Sequence, residues 1–456
     1  MIKSTQRNLM SGKTFIKGTF ILTAAGAATK ILGFVFRILL SRNIGAEGMG
    51  IYQLVMPVSA VCFAIGISGL EVSVSRFTAY YCFRQKKAQA RSIAVLCTFI
   101  SLLLCLICAV SVYFLADALA MHVFHNQSCA LLIRITAVSV PFACIHCMVC
   151  SYYIGQEKTG IPALSQLFEQ LIRIGTVYIM IKIYKQSGEP CSALIGAAGL
   201  IAGEIGAALF CLSVITLHTG GRRTGISRKS LALSFHTHAK EISGTAIPVS
   251  LNRLSLHGLQ SVEAALIPLM LQTYGMSMGE SLSVYGIITG MAMPIILFPC
   301  TLSNSVAQML LPSMSKLQDS PEKLRRGSIG AIVFSVCFGF VCIITFITAG
   351  APLGAYLFGE KTVADYVKIL AWLCPFIFIS STFKSILHAL GKTALVFANN
   401  MLSETINLAC VVFLIPRFGI YAFLTGMLIS QLVNALLSVI GFYRSTNKIS
   451  RKHAQS

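Results

Sequence analysis

Charge is scarce in this chain. Only 11% of its 456 residues are Asp, Glu, Lys or Arg, where a soluble domain carries about 25%. With 55% hydrophobic residues and a mean hydropathy of +0.78, the sequence excludes an ordinary soluble fold. Acids are scarcer than bases, leaving a net charge of +21. In a soluble protein that excess would suggest nucleic acid. Here the bases sit in short loops between apolar runs, which points to anionic lipid headgroups and excludes a nucleic-acid partner. The motifs of several enzyme classes are absent. There is no GxxxxGK[ST], so the chain encodes no ATP-driven motor, and there is no HExxH or GxSxG. No outer loop is long enough to carry the catalytic residues of a membrane glycan polymerase or ligase. A cleavable signal is not expected either, because the apolar run after the basic stretch Met1–Lys17 is too long for a signal core. The 16 cysteines follow no repeated spacing and read as small buried hydrophobes, not a disulfide framework. Cys144, Cys147 and Cys150 step by three around His146. Their CxxC pairs lack a second half elsewhere, so no metal is expected.

What the chain has is length of apolar sequence. Twelve runs can cross a bilayer, which takes about 20 residues each: 15–40, 51–75, 92–116, 128–154, 161–184, 191–217, 245–274, 283–311, 328–350, 363–387, 393–415 and 417–443. Without water to satisfy open backbone groups, these must be helices. The expected fold class is therefore an all-α membrane protein with about 12 transmembrane helices in two six-helix lobes. Residues 1–217 form the first lobe, 218–244 a basic cytoplasmic linker, and 245–456 the second lobe with a short tail. Lysine and arginine crowd the N-terminus, the segments after the even-numbered runs, the linker and the C-terminus. The opposite loops hold only Arg42, Lys182, Lys185, Lys361, Lys368 and Arg417. This asymmetry places both termini in the cytoplasm. The halves also resemble each other: Gly155 with Lys158-Thr159 matches Gly391 with Lys392-Thr393, and Glu169 and Glu404 follow at similar spacings. An even number of spans per half makes this a parallel repeat.

Charges inside spans are functional candidates, because each costs about 3 kcal/mol or more in lipid. The acids are Glu71, Glu169, Glu204, Glu263 and Glu404; the bases are Lys30, Arg37, Arg134, Arg173, Arg253 and Lys384. Glu169 and Arg173 are one turn apart, acid first, and read as a structural ion pair. Arg134 and Lys384 lie near span ends and are expected to reach the interface. Lys30, Arg37 and Arg253 have no acid one turn away in their own helix. Those three are the candidates for a cationic substrate-binding cavity, and such a cavity calls for an anion. Arginine grips phosphate with two parallel hydrogen bonds, so a lipid phosphate or pyrophosphate bearing a sugar fits.

The motif K-x-x-G-x-x-x-R at Lys30, Gly33 and Arg37, with Gly45-Ala46-Glu47-Gly48 and Gly50-Ile51-Tyr52-Gln53-Leu54, resembles the stage V sporulation protein B-like polysaccharide exporters. Gly66-Ile67-Ser68, Ser75-Arg76, Ile247-Pro248, Glu263, Tyr285-Gly286, Met293-Pro294 and Leu311-Pro312-Ser313 continue the likeness in order along nearly the whole chain. These exporters belong to the multidrug/oligosaccharidyl-lipid/polysaccharide (MOP) superfamily, which includes the lipid II flippase. The resemblance implies two six-helix lobes in a V, alternating access and a lipid-linked sugar cargo in a bacterial cytoplasmic membrane. The cavity bases of helix one fall on Lys30 and Arg37, the latter one residue offset from the lipid II flippases. The two extra C-terminal helices of many flippases are not expected here. Some relatives bind sodium through an amide and a carboxylate one turn apart on helix eleven, which fall on Asn400 and Glu404, so the coupling ion is expected to be Na+ or H+. The resulting expectation is a flippase for a lipid-linked oligosaccharide or cell-wall precursor. The alternative is a cation-coupled multidrug extruder of the same superfamily.

Overall fold

The computed structural model describes residues 2–219, 228–300 and 321–453. The middle of the basic linker (220–227) and the end of the eighth apolar run (301–311) lie outside the described residues. The first element, α1 (Ile2–Gly66), contains the first of the twelve apolar runs and most of the second. It bends at Gly45, whose φ of 73° and ψ of −175° suit glycine alone. The expected glycine-rich connection is thus one residue, and Gly48 and Gly50 lie inside the helix. Gly50 serves a different purpose: a Cβ there would sit 2.0 Å from the Leu282 carbonyl oxygen. The second run also continues past its expected end at 75, as α2 (Ser68–Phe83).

After α2 come α3 (Lys87–Phe114), α4 (Cys129–Gly155), α5 (Gly160–Ser187), α6 (Leu194–Thr219) and α7 (Arg228–Tyr274). Then follow α8 (Met278–Leu297), α9 (Ile329–Phe358), α10 (Thr362–His388), α11 (Thr393–Phe418) and α12 (Ile420–His453). Among the described residues, ten helices are long and apolar enough to span. One of them is α1 after residue 23, which holds most of two runs. The helix left out, α5, carries Glu169, Arg173, Lys182 and Lys185 but has 28 residues, or about 42 Å, against a hydrocarbon core of about 30 Å. About twelve spans follow among the described residues. Large apolar side chains on α3 point outward at Phe99, Leu103, Ile107, Val110 and Phe114. A stripe of that kind needs lipid beside it.

The helices group into two compact units. One holds residues 1–44 and 54–258, the other 45–53 and 259–456. The division differs from the lobes expected from sequence. The first part of α7 belongs to the first unit, and the residues just past the Gly45 bend belong to the second. In the first unit α4 is central and packs on α2, α3 and α6, while α5 packs on α6. Its core includes Val74, Phe77, Ile93, Cys97, Cys105, Val140, Cys144 and Met148. In the second, α12 packs on α10 and α11, with Phe383 and Phe442 edge-to-face at 5.4 Å.

Candidate functional site: buried charge networks

The first unit holds a four-residue charge cluster. Glu169 and Arg173 lie on one face of α5, as their spacing requires. α6 reads GLIAGEIGAA around Glu204, and its glycines let α5 approach closely. A Cβ at Gly206 would lie 2.2 Å from Ile172 Cδ1, at Gly199 2.6 Å from Val177 Cγ2, and at Gly203 3.2 Å from the Glu169 carbonyl oxygen. That approach brings Glu204 Oε1 to 3.8 Å from Arg173 Nη2. From α4, His146 Nδ1 sits 3.7 Å from Glu204 Oε2 and 3.8 Å from Glu169 Oε2. Arg173 also donates a hydrogen bond to Glu169 Oε1. All four side chains are at most 14% exposed. The Glu169–Arg173 pair expected as a structural bridge therefore exists, but as half of a larger cluster.

A second pair lies between α2 and α7. Gly69 allows it, because a Cβ there would lie 2.1 Å from the Ala246 carbonyl oxygen. The Gly69 amide donates to Ser250 Oγ at 3.2 Å, and Arg76 donates to Thr245 Oγ1 at 3.1 Å. The same contact sets Arg253 Nη1 4.0 Å from Glu71 Oε2, with both side chains partly open. Arg253 thus has an acidic neighbour that its own helix does not supply. Glu71 is in turn within electrostatic range of His146. Lys30 is exposed and Arg37 half-buried on α1. All three expected substrate-binding bases fall in the first unit.

In the second unit the expected cation residues are both hydrogen-bonded. Asn400 Oδ1 accepts from Asn434 at 3.3 Å, and Glu404 Oε1 accepts from Gln260 at 3.3 Å. Glu263 Oε1 accepts from Asn407 at 2.7 Å, and Lys384 is within electrostatic range of Glu404. Lys384 is half-buried. Arg134 pairs with Asp117 at 2.5 Å. Sequence reasoning passed over His146 as a site residue and left Glu204 and Glu71 without partners. Each is a lone ionisable group in an apolar run. That signal marks them as needing a partner but does not say which helix supplies it. The same holds for the cysteine steps on α4. Cys211 of α6 provides the missing half, with His146, Cys150 and Cys211 ligand atoms within 4.8 Å of one another. Cys211 Sγ also lies 3.3 Å from Ser165 Oγ. None of the 16 cysteines forms a disulfide.

The polysaccharide biosynthesis protein family profile matches residues 15–318. The chain belongs to this family. Among its relatives, stage V sporulation protein B of Bacillus subtilis is 25% identical over 93% of this chain and 84% of that protein. The lipid II flippase MurJ of the same organism is 22% identical over 88% of this chain and 77% of that protein. In fold the chain resembles an inward-facing multidrug resistance MATE family transporter of the MOP superfamily, at a TM-score of 0.69 and 17% identity, covering 94% and 96% of the two chains. A MOP superfamily transporter from Pyrococcus furiosus gives 0.62 at 18% identity, with 96% of each chain covered. The expected all-α fold with about twelve membrane helices stands. This family member is a multi-pass membrane protein.

Proposed function

We propose that this polysaccharide biosynthesis family protein flips an anionic lipid-linked oligosaccharide or cell-wall precursor across the bacterial cytoplasmic membrane by alternating access. The observation that carries the reading is Arg253. It is a half-open guanidinium inside a spanning helix, held 4.0 Å from Glu71, close enough to be oriented and too far for a closed bidentate pair. A phosphate can displace the carboxylate there. Lys30 and Arg37 add positive charge from α1. Coupling falls to a cation, with Asn400 and Glu404 offering the oxygens a hard ion such as Na+ prefers. Anionic lipid at the cytoplasmic face and both termini on that side complete the reading, from the charge asymmetry of the loops.

The five intramembrane glutamates support a second reading as a cation-coupled multidrug extruder. One experiment separates the two: express the protein in a strain depleted of a known flippase and measure lipid-linked precursor on each leaflet. Restored outward precursor supports the flippase. Unchanged precursor together with raised tolerance of cationic drugs supports the extruder.

A further inference from the structure

On α4, His146 and Cys150 are one turn apart and share a face. On α6, Glu204 and Cys211 are two turns apart and share a face as well. Where α4 packs on α6, the ligand atoms of His146, Cys150 and Cys211 all lie within 4.8 Å of one another, and all three residues are buried. The Ser165 hydroxyl of α5 reaches both thiols: it lies 3.3 Å from Cys211 Sγ and hydrogen-bonds Cys150. Val149, Tyr153, Ile161 and Phe210 form an apolar wall around the pair.

Close thiols are not in themselves a site. Cys62 meets Cys108, and Cys105 meets Cys144, in the same unit. Among the described residues, only the Cys150–Cys211 pair has an imidazole at ligand distance. A ligating imidazole almost always donates its other N–H to a carboxylate, a carbonyl or water. Glu204 Oε2 lies 3.7 Å from His146 Nδ1, is buried and accepts no hydrogen bond among the described residues. That oxygen is the outer partner a metal-bound His146 calls for.

The donor set points to the metal. Two thiols and an imidazole suit zinc or copper(I), whereas hard ions take oxygen ligands. Bound as thiolates, the cysteines balance the charge of Zn2+ but leave Cu+ with one negative charge in excess. Such an excess is costly behind an apolar wall, which favours zinc. The overlapping set of His146, Glu169 and Glu204 is the weaker candidate. Arg173 hydrogen-bonds Glu169 and lies 3.8 Å from Glu204, and so holds a fixed positive charge there, with the Phe36 ring of α1 at 6.0 Å from it.

We propose that His146, Cys150 and Cys211 bind one zinc ion that ties α4 to α6, with Glu204 orienting the imidazole and Ser165 hydrogen-bonded to the thiolates. Two S–H bonds break, two S–Zn bonds form, and both protons pass to water. No oxidation state changes. Cys150 is close to the end of α4 at Gly155, and Cys211 to the end of α6 at Thr219. The ion enters from that end, which the proposed topology puts in the cytoplasm, where thiols stay reduced. The inference does not depend on the proposed function.

Purified full-length protein in detergent with a phosphine reductant is stripped with a chelator and titrated with Co2+, then Zn2+. The wild type is expected to bind one cobalt per chain, with thiolate-to-cobalt charge-transfer absorption and the visible bands of a tetrahedral ion. Zinc should abolish both. Cys150→Ser and Cys211→Ser should each lose both signals, while Cys105→Ser, in a thiol pair without an imidazole, should keep them. Glu204→Gln should weaken binding about 10–100-fold. Zinc should also raise the thermal midpoint of the wild type and Cys105→Ser but not of Cys150→Ser or Cys211→Ser, whose metal-free midpoints show that they fold. If a serine variant does not fold, weakened binding in Glu204→Gln with unchanged binding in Cys105→Ser decides for the site, and equal binding in both decides against it. Octahedral cobalt bands would place the metal on carboxylates and overturn the proposal. So would a wild type that binds neither ion, or charge transfer that survives in Cys150→Ser and Cys211→Ser.

Discussion

Removing Arg173 should destabilise the first unit far more than removing a surface arginine. The side chain hydrogen-bonds Glu169, lies 3.8 Å from Glu204 and is 14% exposed. At an effective dielectric of about 20, a contact near 4 Å is worth about 4 kcal/mol. Breaking a buried pair by deleting one partner typically costs about 3–5 kcal/mol. Arg173→Met keeps most of the volume and removes the charge, so it should lower stability by about that amount. Glu169→Gln in the same chain removes one of the stranded acids, and the double variant should recover about 2–3 kcal/mol of the loss. The assay is equilibrium unfolding in mixed micelles for the wild type, both single variants and the double variant, with the coupling energy read from the cycle. A coupling below about 0.5 kcal/mol is what a solvent-exposed pair gives. That result would refute the four-body cluster and return Glu169 and Arg173 to an isolated bridge.

Three further outcomes follow from the reading of the charges. Arg37→Ala and Arg253→Ala should each lower flipping of a polyprenyl-pyrophosphate probe in proteoliposomes at least tenfold with expression nearly intact, since a hydrogen bond to a charged group is worth about 1.5–3 kcal/mol; Arg253→Lys should keep only part of the rate, and wild-type rates in the alanine variants would sink the anionic-lipid reading. Glu404→Gln should weaken sodium- or proton-dependent transport while the protein still folds, and an ion dependence unchanged from wild type would leave Glu404 a structural residue. In a background without the native cysteines, Gln127→Cys should react with an impermeant thiol reagent in intact cells and Lys87→Cys should not; the reverse labelling would invert the topology.

The repeat shows how far the sequence could be read. Lys158-Thr159 and Lys392-Thr393 do mark equivalent helix exits. The Lys158 amide donates to the Tyr153 carbonyl at 3.0 Å and the Lys392 amide to Leu387 at 2.8 Å. Both exits are Schellman turns, in which the residue before the lysine takes the left-handed conformation. In the second half that residue is Gly391, at φ 71°. In the first half it is Glu157, at φ 62°, not Gly155. Matching glycine to glycine misaligned the halves by two residues, because chain geometry, not residue type, is what repeats. Gly155 answers a packing demand: a Cβ there would lie 2.6 Å from the Ser75 carbonyl oxygen. A third exit of the same kind, at Gln85-Lys86, carries neither glycine nor threonine and gave no sequence signal.

The same limit governs the charges. Hydrophobic length marks a span because lipid acts on each segment separately, so twelve helices were legible one run at a time. A lone Glu204 or Glu71 in an apolar run announces only that something must neutralise it. The neutralising group arrives through helix contacts that depend on where small residues permit close approach. At Gly69, Gly199, Gly203 and Gly206 those approaches are made, the first on the helix that carries Glu71 and the other three on the helix that carries Glu204. The glycines of the spans are therefore the part of the sequence that carries the partner information. A glycine two positions before Glu71, and another one position before Glu204, are where the helix surfaces come within reach of Arg253 and Arg173. Enlarging Gly203 to valine should separate α5 from α6 and break the Glu204–Arg173 contact without touching either charge. The resulting loss of stability should then become insensitive to a second substitution, Glu204→Gln, when measured by the same unfolding cycle. If Glu204→Gln still costs the Gly203→Val protein what it costs the wild type, close helix approach is not what holds the cluster together.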